Sequence, residues 1–185
     1  MEIRTLEHEF DGTRCVIRVL TFGESDRARI RELYSMWRTL SDGLRNFHDR
    51  RVNIPPGISE SAFCLEYNAG RTVNVTGGAS SSFDTIDLTT FRRQQIKATS
   101  VENDLTSFGP RSVWDDLYWL DFYRDGAFDG QFDVYKIPDE LIYGYQINAN
   151  QTFADQQQQI RRPRLCIRRN IIRAHNIIPE RTCRI

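Results

Sequence analysis

Phe83-Asp84-Thr85-Ile86-Asp87-Leu88 and Gln94-Gln95-Ile96-Lys97-Ala98-Thr99 are the two runs on which the reading of this chain turns. Both are short, rich in apolar and β-branched residues, and bounded by polar ones. They predict two strands joined tightly around Thr89 to Arg92. Residues two apart on a strand face the same way, so Gln95 and Lys97 share a face. A turn at Thr89-Thr90 sets Asp84 opposite Gln95, and a turn at Thr90-Phe91 sets it opposite Lys97. Either register gathers Asp84, Gln95 and Lys97, whereas Asp87, three positions on, falls on the other face.

Such a trio has a chemistry. A carboxylate and an amide oxygen are hard donors of the kind that hold Mg²⁺, which keeps several waters and takes few protein ligands. A lysine beside them positions a nucleophile or stabilises charge developing on a phosphoryl group. Of the 25 basic residues only Lys97 and Lys136 are lysine. In a chain so biased to arginine, a lysine within a strand reads as there for its chemistry, a proton it can lose when desolvated, which arginine effectively cannot. An ordinary Asp–Lys ion pair on a buried strand pair explains the same spacing.

Upstream, Thr13 to Leu20 predicts a strand. Ile30, Leu33, Tyr34, Trp37, Leu40, Leu44 and Phe47 then recur at helical spacing as one apolar stripe. Ile54-Pro55-Pro56-Gly57 breaks the chain, and a second helix is predicted from about Ile58 to Ala69. Its core face is Ile58, Ala62, Leu65 and Ala69. Glu60 points the other way, beside Cys64 and Tyr67, where burial is costly without a partner. It reads equally as a surface carboxylate favouring the helix dipole. Thr72 to Thr76 predicts a strand, followed by a flexible loop over Gly77 to Ser82. Downstream, strands are predicted over Leu117 to Tyr123 and Gln131 to Ile137, turning through Asp125-Gly126. A short helix opens at Pro138-Asp139-Glu140, a last strand covers Leu165 to Ile167, and a last helix runs from Arg168 to His175. Trp114, Leu117, Tyr118, Trp119, Leu120 and Phe122 read as core or dimer interface. The order helix, helix, strands, helix suits an α/β fold with a central mixed β-sheet flanked by helices.

At 185 residues, with 39% hydrophobic and 27% charged, the chain is expected to form one domain over residues 1–185. Residues 1–53 make an N-terminal strand/helix part, and residues 54–185 make a core with a basic C-terminal part. No apolar run reaches the ~20 residues that cross a bilayer. The N-terminus lacks the basic-then-apolar pattern of a secretory signal, so a cytoplasmic setting is expected. Cys15, Cys64, Cys166 and Cys183 are scattered and read as reduced thiols, and His8, His48 and His175 form no ligand cluster, which argues against zinc. Net charge is zero, but beyond Ile160 eight arginines face one acid, Glu180. That block suits phosphate contacts or, equally, a solvated surface.

The stretch from Ser82-Phe83-Asp84 to Gln94-Gln95-Ile96-Lys97-Ala98-Thr99 resembles the active-site hairpin of PD-(D/E)XK nucleases. Ile54-Pro55-Pro56-Gly57-Ile58-Ser59-Glu60, Asp104-Leu105-Thr106-Ser107-Phe108-Gly109-Pro110 and Arg161-Arg162-Pro163-Arg164 narrow the resemblance to small type II restriction endonucleases of the Bsp-type group, which cut GC-N-GC sites. It runs from about Ile54 to Pro179. The resemblance implies the PD-(D/E)XK fold, Mg²⁺-dependent cleavage of double-stranded DNA at a short GC-rich palindrome, a homodimer, and no organic cofactor. It makes Asp84 a metal ligand, Lys97 the motif lysine, and Glu60 an additional metal-binding carboxylate. Gln95 stands at the second acidic position, a departure that costs one negative charge and leaves direct ligation by Gln95 open. Candidates for DNA contact are Arg92, Arg93, Arg161, Arg162, Arg164, Arg168 and Arg169, since arginine paired to guanine is the commonest specific contact in the major groove. The rival readings are a repair or structure-specific nuclease on the same fold, a catalytically inactive DNA-binding module, and an unrelated protein in which the trio is accidental.

Overall fold

The computed structural model describes residues 1–47, 52–77 and 83–185. His48, Ser82 and the loop predicted from Gly78 onward lie outside the described residues. The chain opens with β1 (Glu2–Phe10) and β2 (Thr13–Thr21), a hairpin closed by Asp11 and Gly12. Both turn residues have positive φ, 50° and 78°, the backbone twist that two-residue hairpins favour. β1 was not foreseen. It is an edge strand exposed along nearly its whole length, so it carries no apolar alternation for a sequence reading to find.

α1 (Arg27–Arg45) follows, and the expected single stripe divides. Ile30, Tyr34 and Trp37 enter the core, whereas Leu33, Leu40 and Phe47 are 36%, 57% and 82% exposed. α2 (Pro56–Glu66) starts with proline in its first turn, where the missing N–H costs nothing. It ends earlier than expected, because Ala69 already belongs to β3 (Ala69–Thr76). After β4 (Thr85–Asp87) and β5 (Arg93–Thr99) come β6 (Thr106–Ser107), β7 (Asp116–Asp121) and β8 (Gln131–Ile137). The predicted short helix is α3 (Asp139–Tyr143), followed by β9 (Gln146–Asn148), β10 (Gln151–Thr152) and α4 (Phe153–Gln158). The expected last strand shrinks to β11 (Arg164–Leu165), which pairs with β6. The expected last helix is one stretch of π-helix over Arg168–Arg173. β12 (Arg181–Arg184) closes the chain on β8 and was missed.

Eight strands form one mixed sheet in the order β1-β2-β3-β4-β5-β7-β8-β12. Every pair is antiparallel except β5 with β7. The two strands that open the chain therefore extend the same sheet that carries the predicted active-site hairpin. β7 is buried on both faces, and its side chains divide by parity. Tyr118 and Leu120 pack with Ile96 against Tyr34, Trp37 and Phe63 of the two long helices. Leu117 and Trp119 pack with Phe108, Trp114, Phe153, Leu165 and Ile171 on the opposite side. Trp114, Leu117, Tyr118, Trp119, Leu120 and Phe122 are thus core. Each large side chain so buried contributes roughly 1.5–3 kcal/mol, which makes the centre of the sheet a rigid base. All four cysteines are buried free thiols. Among the described residues no helix is long and apolar enough to cross a membrane.

Candidate active site

Thr85 pairs with Gln94 and Ile86 with Arg93, so Asp84 comes opposite Gln95, the register of a Thr89-Thr90 turn. The connection is longer than two residues. The Asp87 carbonyl accepts from Phe91 N at 3.0 Å, and its carboxylate accepts from Thr89 N at 2.8 Å and Thr90 N at 2.7 Å. Asp87 is therefore occupied in shaping the turn. Asp84, one residue before β4, is pinned from both sides: its N–H donates to Gln94 O at 3.0 Å and its carbonyl accepts from Thr72 N at 2.9 Å. Its carboxylate takes the next rung, accepting from Ile96 N at 2.9 Å and from Gln95 Nε2. Oε1 of Gln95 is buried with no hydrogen-bond partner among the described residues.

Glu60 reaches the same place from α2. It is buried, as its apolar flanks on the helix suggest, and its partner is Arg71 of β3, whose Nε donates to Oε2 at 2.6 Å. Burial, and then the negative charge of Asp84, pushes Glu60 up to about 7, against the pull of Arg71 and Lys97. Burial also raises Asp84, opposed by Lys97, the Ile96 N–H and Arg71. Both carboxyls thus lack the solvation they would have in water, and the neighbouring cations make good only part of it. Glu60, Asp84 and Lys97 line one cavity of about 670 Å³, together with Asn53, Asp104 and Ser107. Lys97 Nζ stands 5.4 Å from the centre of the buried Phe108 ring.

Residues 22–174 match the family model described as Bsp6I restriction endonuclease. The chain is also similar to the type II restriction enzyme Bsp6I of Bacillus sp. (strain RFL6), with 34% identity over 168 residues, which cover 85% of this chain and 89% of that protein. The chain belongs to the Bsp6I restriction endonuclease family. It is a type II restriction endonuclease, a hydrolase that cleaves DNA. The family match spans Glu60, Arg71, Asp84, Gln95 and Lys97, and leaves β1, β2 and β12 outside. No solved structure matches the chain.

The arginines proposed from sequence fall into two groups in this Bsp6I-family chain. Arg92 bridges to Asp116 at 2.6 Å, Arg93 to Asp11 at 2.7 Å and Asp115 at 2.9 Å, and Arg168 to Asp125 at 2.7 Å and Asp121 at 3.6 Å. Arg93 and Arg168 are buried. All three guanidiniums pair with the chain's own carboxylates, Arg92 with its side chain still half exposed, pairings that sequence position could not disclose. Arg161, Arg162, Arg164 and Arg169 are exposed.

Three residues near the cavity were given no role by sequence reasoning. Arg71 was missed because the strand was started at Thr72, three residues too late. Asn53 ties the entry of α2 to the end of β5: its Oδ1 accepts from Ile54 N, Ser100 N and Ser100 Oγ, and its Nδ2 donates to Ala98 O at 3.2 Å. The same amide donates to Asp104 at 3.3 Å, a carboxyl raised by burial. An asparagine just before Ile54-Pro55 is a common loop residue, so nothing in the spacing singles it out.

Proposed function

We propose that this Bsp6I-family enzyme cuts both strands of a short GC-rich palindrome of the GC-N-GC type through a centre made of Glu60, Asp84, Gln95 and Lys97. The observation that carries the reading is that Glu60, Asp84 and Lys97, from α2, the start of β4 and β5, line one cavity. Gln95 is locked to Asp84 beside them.

The donor set fits a hard divalent cation. Among the described residues no group of three or more His, Cys, Asp or Glu side chains is placed to hold a metal. Glu60 and Asp84, close enough to repel each other, line the cavity, and Gln95 beside Asp84 carries a buried amide oxygen without a partner among the described residues, a set of hard oxygen donors. That suits Mg²⁺ better than zinc, which takes nitrogen and sulfur. Asp84, Glu60 and the Gln95 oxygen would hold it. A bound Mg²⁺ polarises the phosphoryl oxygen and lowers the pKa of its water.

The protein's own groups do the rest. Asp84, with its backbone held by β3 and β5, keeps the carboxylate from drifting as charge builds. Lys97 faces the cavity and places a positive charge where the phosphorane becomes more anionic. A water oxygen bonds to phosphorus as the bond to the leaving sugar oxygen breaks. Ile54, Pro55 and Pro56 at the α2 entry and Leu105 line the cavity, and apolar walls strengthen these charges by limiting water.

The sheet and its helices support a PD-(D/E)XK fold, and the whole chain reads as one nuclease domain acting in the cytoplasm. A two-fold site is best met by a homodimer, each subunit cutting one strand. The exposed Arg161, Arg162, Arg164 and Arg169 are the best candidates for DNA contact. The test is digestion of phage DNA with Mg²⁺ by the wild type, Asp84→Ala and Lys97→Ala, with sequencing of the fragment ends. Discrete fragments from the wild type alone, ending within GC-N-GC, support the reading. A smear points to a non-specific nuclease, and discrete fragments from Asp84→Ala remove the centre.

A further inference from the structure

Arg71 stands on β3 opposite Thr85, so the sheet delivers its side chain next to the hairpin that bears Asp84. Its Nε lies 2.6 Å from Glu60 Oε2, with the two side chains 32% and 11% exposed. Two carboxylates, Glu60 and Asp84, are therefore balanced by two cations, Arg71 and Lys97, that bear on both of them. A divalent ion entering between Glu60 and Asp84 meets two carboxylates already countered by two cations, and one of the oxygens it needs is already held by a guanidinium.

We propose that Arg71 is a placeholder cation: it occupies the Glu60 carboxylate while the centre is free of metal, and the divalent ion must displace it. This rests on the nuclease-centre reading above. Arg71 is in this sense a positioning residue, acting on the cation through Glu60. It holds the Glu60 carboxylate in place before the cation arrives, and it opposes loading of the cation when no DNA phosphate is there to add negative charge. A plain tether between α2 and β3 would show the same contact but would be indifferent to the ion.

The full-length protein without DNA is titrated with Ca²⁺ by calorimetry at pH 8.5, as wild type, Arg71→Met, Arg71→Gln and Asp84→Ala. Even in water's dielectric, a unit positive charge at about 5 Å costs a divalent ion roughly tenfold in affinity. Both Arg71 variants are therefore expected to bind Ca²⁺ about tenfold tighter than the wild type. They are also expected to unfold at lower temperature in EDTA and to recover most of that difference in saturating Ca²⁺. Either variant suffices if the other fails to fold. Equal or weaker Ca²⁺ affinity in the folded variants, or no measurable binding in wild type and variants alike, overturns the proposal. If Asp84→Ala loses Ca²⁺ while the Arg71 variants match the wild type, the placeholder fails and the centre stands. If Asp84→Ala binds as the wild type does, the centre itself fails.

Discussion

Glu60→Gln separates the electrostatic tension of the centre from its packing, since it removes one ionisable group and keeps the volume. In protein stripped of divalent ions, Glu60 is pushed up from 4.5 to about 7, first by burial and then by Asp84. A carboxyl raised in this way keeps its proton in the folded chain where the unfolded chain has lost it. Its contribution to stability is whole below about pH 4.5 and is lost as pH rises through about 7. At about 1.4 kcal/mol for each tenfold in proton affinity, the gap amounts to about 3 kcal/mol. The Glu60 side chain is only 11% exposed, so solvent screens little of this, and the rise of Asp84 acts in the same direction. For a chain of this length 1 kcal/mol moves the melting midpoint by about 2–4 °C. Between pH 5 and 8 in EDTA about 2.5 kcal/mol of this is lost, so the wild type is expected to lose about 5–10 °C more than Glu60→Gln, read by circular dichroism at several pH values. Mg²⁺ added at pH 8 is expected to restore more of the wild type's midpoint than of the variant's. Melting curves that run parallel across this range would refute the reasoning, because Glu60 would then titrate as it does in water.

Lys97→Met is expected to slow single-turnover cleavage by about 10²–10⁴ while DNA affinity in Ca²⁺ stays within about tenfold; a rate near that of the wild type in rapid-quench assays removes the lysine from the centre. Gly70→Ala would bring a Cβ within 2.9 Å of Val19 and 3.2 Å of Leu88, so urea unfolding is expected to register a loss of about 1–3 kcal/mol. Arg168→Met leaves the buried carboxylate of Asp121 without its guanidinium and is expected to cost about 3–5 kcal/mol in the same assay. Arg164→Gln and Arg169→Gln, at exposed positions, are expected to leave stability unchanged and to lower the slope of log affinity against log salt by about one each if they meet phosphates.

How much was legible differs between the sheet's centre and its rim. The hairpin of β4 and β5 was visible because alternation and turn residues act over a few neighbours, and β8 was read to the residue at both ends. β1 and β12 escaped because strands at the two sheet edges carry mostly exposed side chains, leaving no apolar period to detect. α1 showed a helical stripe, but which half of it meets the core depends on where β7 and α2 stand. The same division holds at the site. Asp84, Gln95 and Lys97 could be grouped from spacing alone because strand geometry is periodic and local. The choice between the two registers and the pairing of Glu60 with Arg71 join residues eleven positions apart on separate elements, and Arg93 and Arg168 reach carboxylates much farther along the chain, Asp11 and Asp121. Coulomb forces and desolvation act through space, and a linear string carries no distances, so only the folded sheet and the helices packed on it could set those partners.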